Sequence, residues 1–113
     1  MVTSRLAQVG LAPTAAYCVS KTGLIGQTQS LAIEFASGGV RVNVVAPAVV
    51  NNDLSAASLK TGASAPHASE FPLGCFAEPN EIVASVLFRL SDSAAHSTGQ
   101  ALNPNVGSYM QQT

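Results

Sequence analysis

Tyr17 and Lys21 stand four residues apart in Tyr17-Cys18-Val19-Ser20-Lys21, and Ser4 lies thirteen residues before Tyr17. On an α-helix, residues i and i+4 share a face, one turn above the other. A phenol held beside a fixed ammonium gives up its proton more readily than a free phenol, whose pKa is near 10. Such a pair can move a proton on and off a carbonyl or alcohol oxygen. By itself the pair is weak. Two tyrosines and two lysines in 113 residues produce one by chance in roughly one chain in thirty, and most such pairs decorate a helix surface. Ser4 alone reads as a strand-end hydroxyl capping local backbone.

Other polar residues rank lower. Ser20 lies on a different helical face from Tyr17 and reads as packing. Asn43 reads as a buried amide bonding nearby backbone. His67 and His96 are lone histidines in polar surroundings, and Tyr109 has no lysine at helical spacing. Cys18 and Cys75 form no C-x-x-C pair and have no clustered histidines, so no metal site is expected and both read as free thiols.

The elements that must position Ser4, Tyr17 and Lys21 are readable in outline. Met1 to Ser4 reads as the end of a strand. Thr14 is the expected N-cap of a helix from Ala15 to about Ala36, stopped by Gly38-Gly39. Its apolar positions Leu24, Ile25, Leu31, Ala32 and Phe35 follow helical spacing, while Gly23, Gly26 and Ser30 suit close approach of another backbone. Val40 to Ala46 is a β-branched run that does not alternate, as expected of a strand covered on both faces of a parallel sheet. Residues 51–77 are a long Ser/Ala/Gly/Pro-rich stretch, suited to a functional lid or a mobile insertion. A helix opens at Glu78-Pro79, with Ile82, Val83, Val86, Leu87 and Leu90 as its buried stripe. A last short strand is expected from Gln100 to Asn103, and a polar, frayed tail after Gly107.

Composition bounds the function. The chain has one domain's length, a net charge of −1, 47% hydrophobic and only 10% charged residues. That balance gives no electrostatic footprint for nucleic acid or an anionic membrane. No apolar run reaches the length of a membrane span, and the N-terminus lacks a secretory pattern. A reducing, cytoplasmic setting is expected. So small a charged fraction suits a piece of a larger α/β protein.

Several segments in order resemble the C-terminal half of a short-chain dehydrogenase/reductase (SDR). They are Val2-Thr3-Ser4, Ala16-Tyr17-Cys18-Val19-Ser20-Lys21, Arg41-Val42-Asn43-Val44-Val45-Ala46-Pro47, Glu78-Pro79-Asn80-Glu81-Ile82-Val83 leading to Leu90-Ser91-Asp92, and Ser97-Thr98-Gly99-Gln100-Ala101-Leu102. The resemblance implies an α/β fold: the C-terminal part of a Rossmann-like, doubly wound parallel sheet over residues 1–107, followed by the tail 108–113. It lacks the N-terminal nucleotide-binding half, for no G-x-x-x-G-x-G turn is present. The chain departs from the family's pattern at Ala48, Asn52, Cys75 and Pro104-Asn105-Val106-Gly107.

The implied activity is interconversion of an alcohol and a ketone or aldehyde with NAD or NADP. A nicotinamide must supply the hydride, since no side chain can. Tyr17 is expected to be the general acid–base and Lys21 its electrostatic partner. By the resemblance, Lys21 also bonds the nicotinamide ribose, Ser4 holds the substrate carbonyl, and Pro47 and the Val50 backbone meet the nicotinamide. The Tyr17–Ala36 helix is expected to pack against its copy in a homo-oligomer. The lid carries few charges (Asp53, Lys60 and Glu70), which leans towards a neutral or apolar substrate. The alternative is a non-catalytic remnant that acts by packing on a related subunit.

Overall fold

The run from Val40 to Ala46 enters a sheet only over its second half. In the computed structural model, which describes residues 1–60 and 66–110, strand β1 is Val44–Val45 and pairs in parallel with β2, Ala101–Leu102. The register sets Val44 against Ala101 and Val45 against Leu102. A parallel bridge between Val2 and Val45 lays the N-terminal residues along the other side of β1. There Thr3 N–H donates to Val45 O (2.8 Å) and Val45 N–H to Met1 O (3.0 Å).

The strand is shorter than expected because its first residues bond the turn before β2 instead. Gly99 N–H donates to Val42 O (2.7 Å), and Val42 N–H donates to Thr98 Oγ1 (3.1 Å). Asn43 Nδ2 donates to Ser97 O (2.6 Å), while Asn43 Oδ1 accepts from Gln100 N–H (3.1 Å). This is the backbone-bonding amide the sequence suggested, half-buried rather than buried. Val44, Val45 and Ala46 are buried, as two-sided cover of a parallel strand requires.

Helix α1 spans Ala15–Phe35. Thr14 occupies the N-cap position but makes no side-chain cap; its hydroxyl turns back to donate to Leu11 O and lies 3.4 Å from Cys18 Sγ. The helix ends through a 3₁₀ turn, Ala36–Gly38, and Gly39 at φ +71°, a conformation glycine takes without steric cost. Only Thr28 and Ala32 of α1 are buried. Leu24, Ile25 and Leu31 are half-buried and Phe35 is exposed. Space over Gly23 and Gly26 is open, so within the described chain no backbone makes the close approach their size suggests.

Within 51–77, Asp53–Lys60 forms α2, capped by Asn52: its Oδ1 accepts from Ser55 N–H (3.0 Å) and its own N–H donates to Ser55 Oγ (3.1 Å). Residues 61–65 of the expected lid lie outside the described residues. The stretch returns to its origin, where Asn51 N–H donates to Ala77 O (2.8 Å) and Ala77 N–H to Val49 O (3.1 Å).

Helix α3, Pro79–Leu90, begins as its sequence predicts, with Glu78 N–H donating to the Glu81 carboxylate (2.7 Å). Its stripe corrects the expectation of burial. Val83, Leu87 and Leu90 are 54%, 61% and 72% exposed, and no residue of α3 is buried. Periodicity names the residues that share a face but not what covers them, and the described elements leave this face open. The radius of gyration, 14.9 Å, exceeds the roughly 13 Å of a compact domain of this length. No helix among the described residues is long and apolar enough to cross a membrane.

The tail differs from expectation too. It folds back through Ser108 N–H to Asn105 O (2.8 Å) and Asn105 Nδ2 to Tyr109 O (2.8 Å), with Asn105 buried. Residues 111–113 lie outside the described residues.

Candidate active site

Parallel strands bring their carboxyl ends to one rim, and three of the segments singled out from sequence meet there. Ser4 follows the N-terminal strand segment, Pro47 follows β1 and Pro104 follows β2. Arg5 N–H donates to Pro47 O (2.8 Å) and Ala48 N–H to Pro104 O (3.4 Å), stitching the three exits together.

Ser4 is extended (φ −153°, ψ 156°) and caps a 3₁₀ turn, Arg5–Ala7, its Oγ accepting from Leu6 N–H at 3.1 Å. The local-cap reading of Ser4 is therefore correct as far as it goes. With that lone pair engaged, the hydroxyl proton remains available to a substrate oxygen. Thr3, only 5% exposed, donates its hydroxyl to Lys21 O (2.7 Å). That bond fastens the strand end bearing Ser4 to the turn of α1 that carries Lys21. Thr22 Oγ1 adds a second tie, to Ala7 O (3.0 Å).

Tyr17 sits in the first turn of α1 and is 45% exposed. Lys21 Nζ lies 5.6 Å from the centre of the Tyr17 ring, inside the range of cation–π attraction. Ser20 donates to Tyr17 O (2.7 Å), a local backbone bond that leaves it no part in the pair. Pro47 is buried, and Val50 is half-buried at its bridge with Ala77. That bridge uses the backbone of Val49, Asn51 and Ala77; the N–H and C=O of Val50 itself are not engaged by the described residues.

His67 and His96 are exposed, and no group of three His, Cys, Asp or Glu able to hold a metal occurs among the described residues. Cys75 is exposed and Cys18 half-buried, both as free thiols. Sequence reasoning missed Thr3 and Arg5, whose roles depend on partners far along the chain that no local spacing announces.

An open α/β protein with polar residues gathered at the carboxyl ends of parallel strands belongs to a class that binds ligands at that rim. Residues 1–108 match the family described as enoyl-(acyl carrier protein) reductase. The 3-oxoacyl-[acyl-carrier-protein] reductases FabG of Vibrio harveyi and Vibrio cholerae are 40% and 39% identical over 109 residues. Those matches take in 96% of this chain and 44% of theirs, so the chain spans less than half the length of these relatives.

A short-chain dehydrogenase/reductase family oxidoreductase of Burkholderia thailandensis superposes with a TM-score of 0.80 at 34% identity, covering 94% of this chain and 41% of that one. An NADPH-bound short-chain oxidoreductase of Pseudomonas aeruginosa, described as containing an atypical catalytic centre, superposes with a TM-score of 0.87 at 26% identity. It covers 98% of this chain and 45% of its own. The chain belongs to the short-chain dehydrogenase/reductase family, and its fold is part of that family's Rossmann-like sheet.

Proposed function

We propose that this chain carries the proton-transfer half of an NAD- or NADP-dependent oxidoreductase that interconverts an alcohol and a carbonyl. The observation behind this is the fastening of the Ser4 strand end to α1 at Lys21, one helical turn from Tyr17. In the reduction, Ser4 donates its hydroxyl hydrogen bond to the carbonyl oxygen and orients it. Tyr17 gives its phenolic proton to that oxygen as the carbon is reduced, leaving a phenolate. Lys21 stabilises the phenolate by its positive charge. A nicotinamide, when bound, supplies the hydride to the carbonyl carbon. The residues present fit the nicotinamide end of such a cofactor: Val50 has an N–H and C=O that the described residues leave unengaged for its amide, and Lys21 has donors for its ribose. Relatives named 3-oxoacyl-[acyl-carrier-protein] reductase make that substrate class the first to try.

A second reading has its own support in the open face of α3. Under it, the chain is a non-catalytic SDR piece that acts by packing on a related subunit. The exposed side of α1, with Val19 and Ile33 alongside open Gly23 and Gly26, is the surface we assign to that contact and to a homo-oligomer.

The deciding experiment is titration of the 113-residue chain with NADH and NADPH, followed by nucleotide fluorescence. Saturable binding below about 1 mM, worth roughly 4 kcal/mol, is expected from a folded half-site. Absence of binding up to that concentration favours the packing reading.

A further inference from the structure

Arg5 directly follows Ser4, and its main chain is pinned to the rim by the bond to Pro47 O. Its side chain reaches across to the returning end of the 51–77 stretch. The guanidinium carbon lies 5.5 Å from the centre of the Phe71 ring, within the distance at which a cation is attracted to the ring face. Phe71 is a firm platform. It is 5% exposed and meets Phe76 edge to face at 5.9 Å. Gly74 N–H closes the turn by donating to Phe71 O (2.8 Å), and Leu73 N–H donates to Val106 O (3.2 Å). A guanidinium lying on a buried ring covers it with its aliphatic stem as well as its charge.

We infer that Arg5 is a positioning residue: stacked on Phe71, it clasps the returning foot of the 51–77 stretch to the turn that aims Ser4. The inference rests on reading Ser4 as the group that holds the substrate oxygen. The Ser4 hydroxyl is oriented by Leu6 N–H, and Arg5 is the residue between them. Loosening Arg5 from Phe71 therefore frees both sides at once, the Phe71–Gly74 turn and the Ser4–Leu6 bond.

The test is amide hydrogen exchange on the full chain as wild type, Arg5→Met and Arg5→Lys, a readout that needs no turnover. Arg5→Met should speed exchange roughly fivefold at Leu6 and Gly74 together, and Arg5→Lys, which keeps the cation, should restore both. Faster exchange at Gly74 alone, or at neither amide, overturns the clasp. If Arg5→Met does not fold, Phe71→Leu removes the ring instead and should give the same paired loosening. Adding Arg5→Lys to it should then change nothing further, and an additive effect overturns the proposal. With a turning-over enzyme, Arg5→Met should lower kcat about fivefold with KM little changed, and a change confined to KM counts against it. Failure of the wild type to bind NADH or NADPH counts against the oxidoreductase reading, while the exchange pattern still decides the clasp.

Discussion

Removing one oxygen at position 17 isolates what the site asks of that side chain. Tyr17→Phe keeps the ring that faces the Lys21 ammonium but deletes the proton. In any form of the enzyme that turns over, it should lower kcat by about 10²–10⁴-fold, with the thermal midpoint nearly unchanged, since Tyr17 is half exposed. Steady-state kinetics beside a melting curve check both halves of that statement. Gly107 makes the opposite point, because its role is steric. It sits at φ +81°, and a Cβ there would come 2.8 Å from the Pro72 ring. Gly107→Ala should cost about 1–3 kcal/mol, read by urea denaturation, and should leave local chemistry at Tyr17 untouched. The placement of Tyr17 and Lys21 on successive turns of α1 was legible because spacing within one helix is local information. Thr3 was not, since its hydroxyl acts through Lys21 O.

At the scale of elements, both ends of α1 and the start of α3 lie where their local signals put them. Gly38-Gly39 ends α1 as expected because a left-handed residue is needed there. Thr14 marks the start of α1 but makes no cap bond, its backbone (φ −107°, ψ 25°) lying outside the extended region a capping residue takes. Glu78, Pro79 and Glu81 announced α3 correctly, for a capping box is a four-residue device with both partners in view. The length of β1 was not readable, because the polar groups of Val42 and Asn43 are claimed by residues 97–100, far along the chain. The stripe on α3 was named correctly and its burial was not. Replacing Leu87 and Leu90 together by Lys tests that exposure directly. The pair should cost less than about 0.5 kcal/mol per site in the isolated chain, where buried leucines would each cost several times more. Urea denaturation distinguishes the two.

On the scale of the molecule, the uncovered side of α3 and the outer edge at Val2, 52% exposed, should make the chain self-associate. An unpaired strand edge invites further pairing. Light scattering should record an apparent mass that rises with concentration, and the Leu87/Leu90 lysine variant should flatten that rise. A mass independent of concentration in the wild type would count against free association through these surfaces. How α3 is held matters for what such association can do. Arg41 donates from Nη1 to Arg89 O (2.9 Å) and Ala94 O (3.0 Å), with longer contacts to the carbonyls of Leu90, Ser91 and Ser97. With Asn51 Nδ2 donating to Glu78 Oε1 (2.9 Å) at the other end, the helix is moored at its two ends rather than glued along its flank. A rod tied at both ends keeps its place while its side stays open, so an incoming subunit meets α3 already set beside the sheet, and loss of the Arg41 knot would free one end alone.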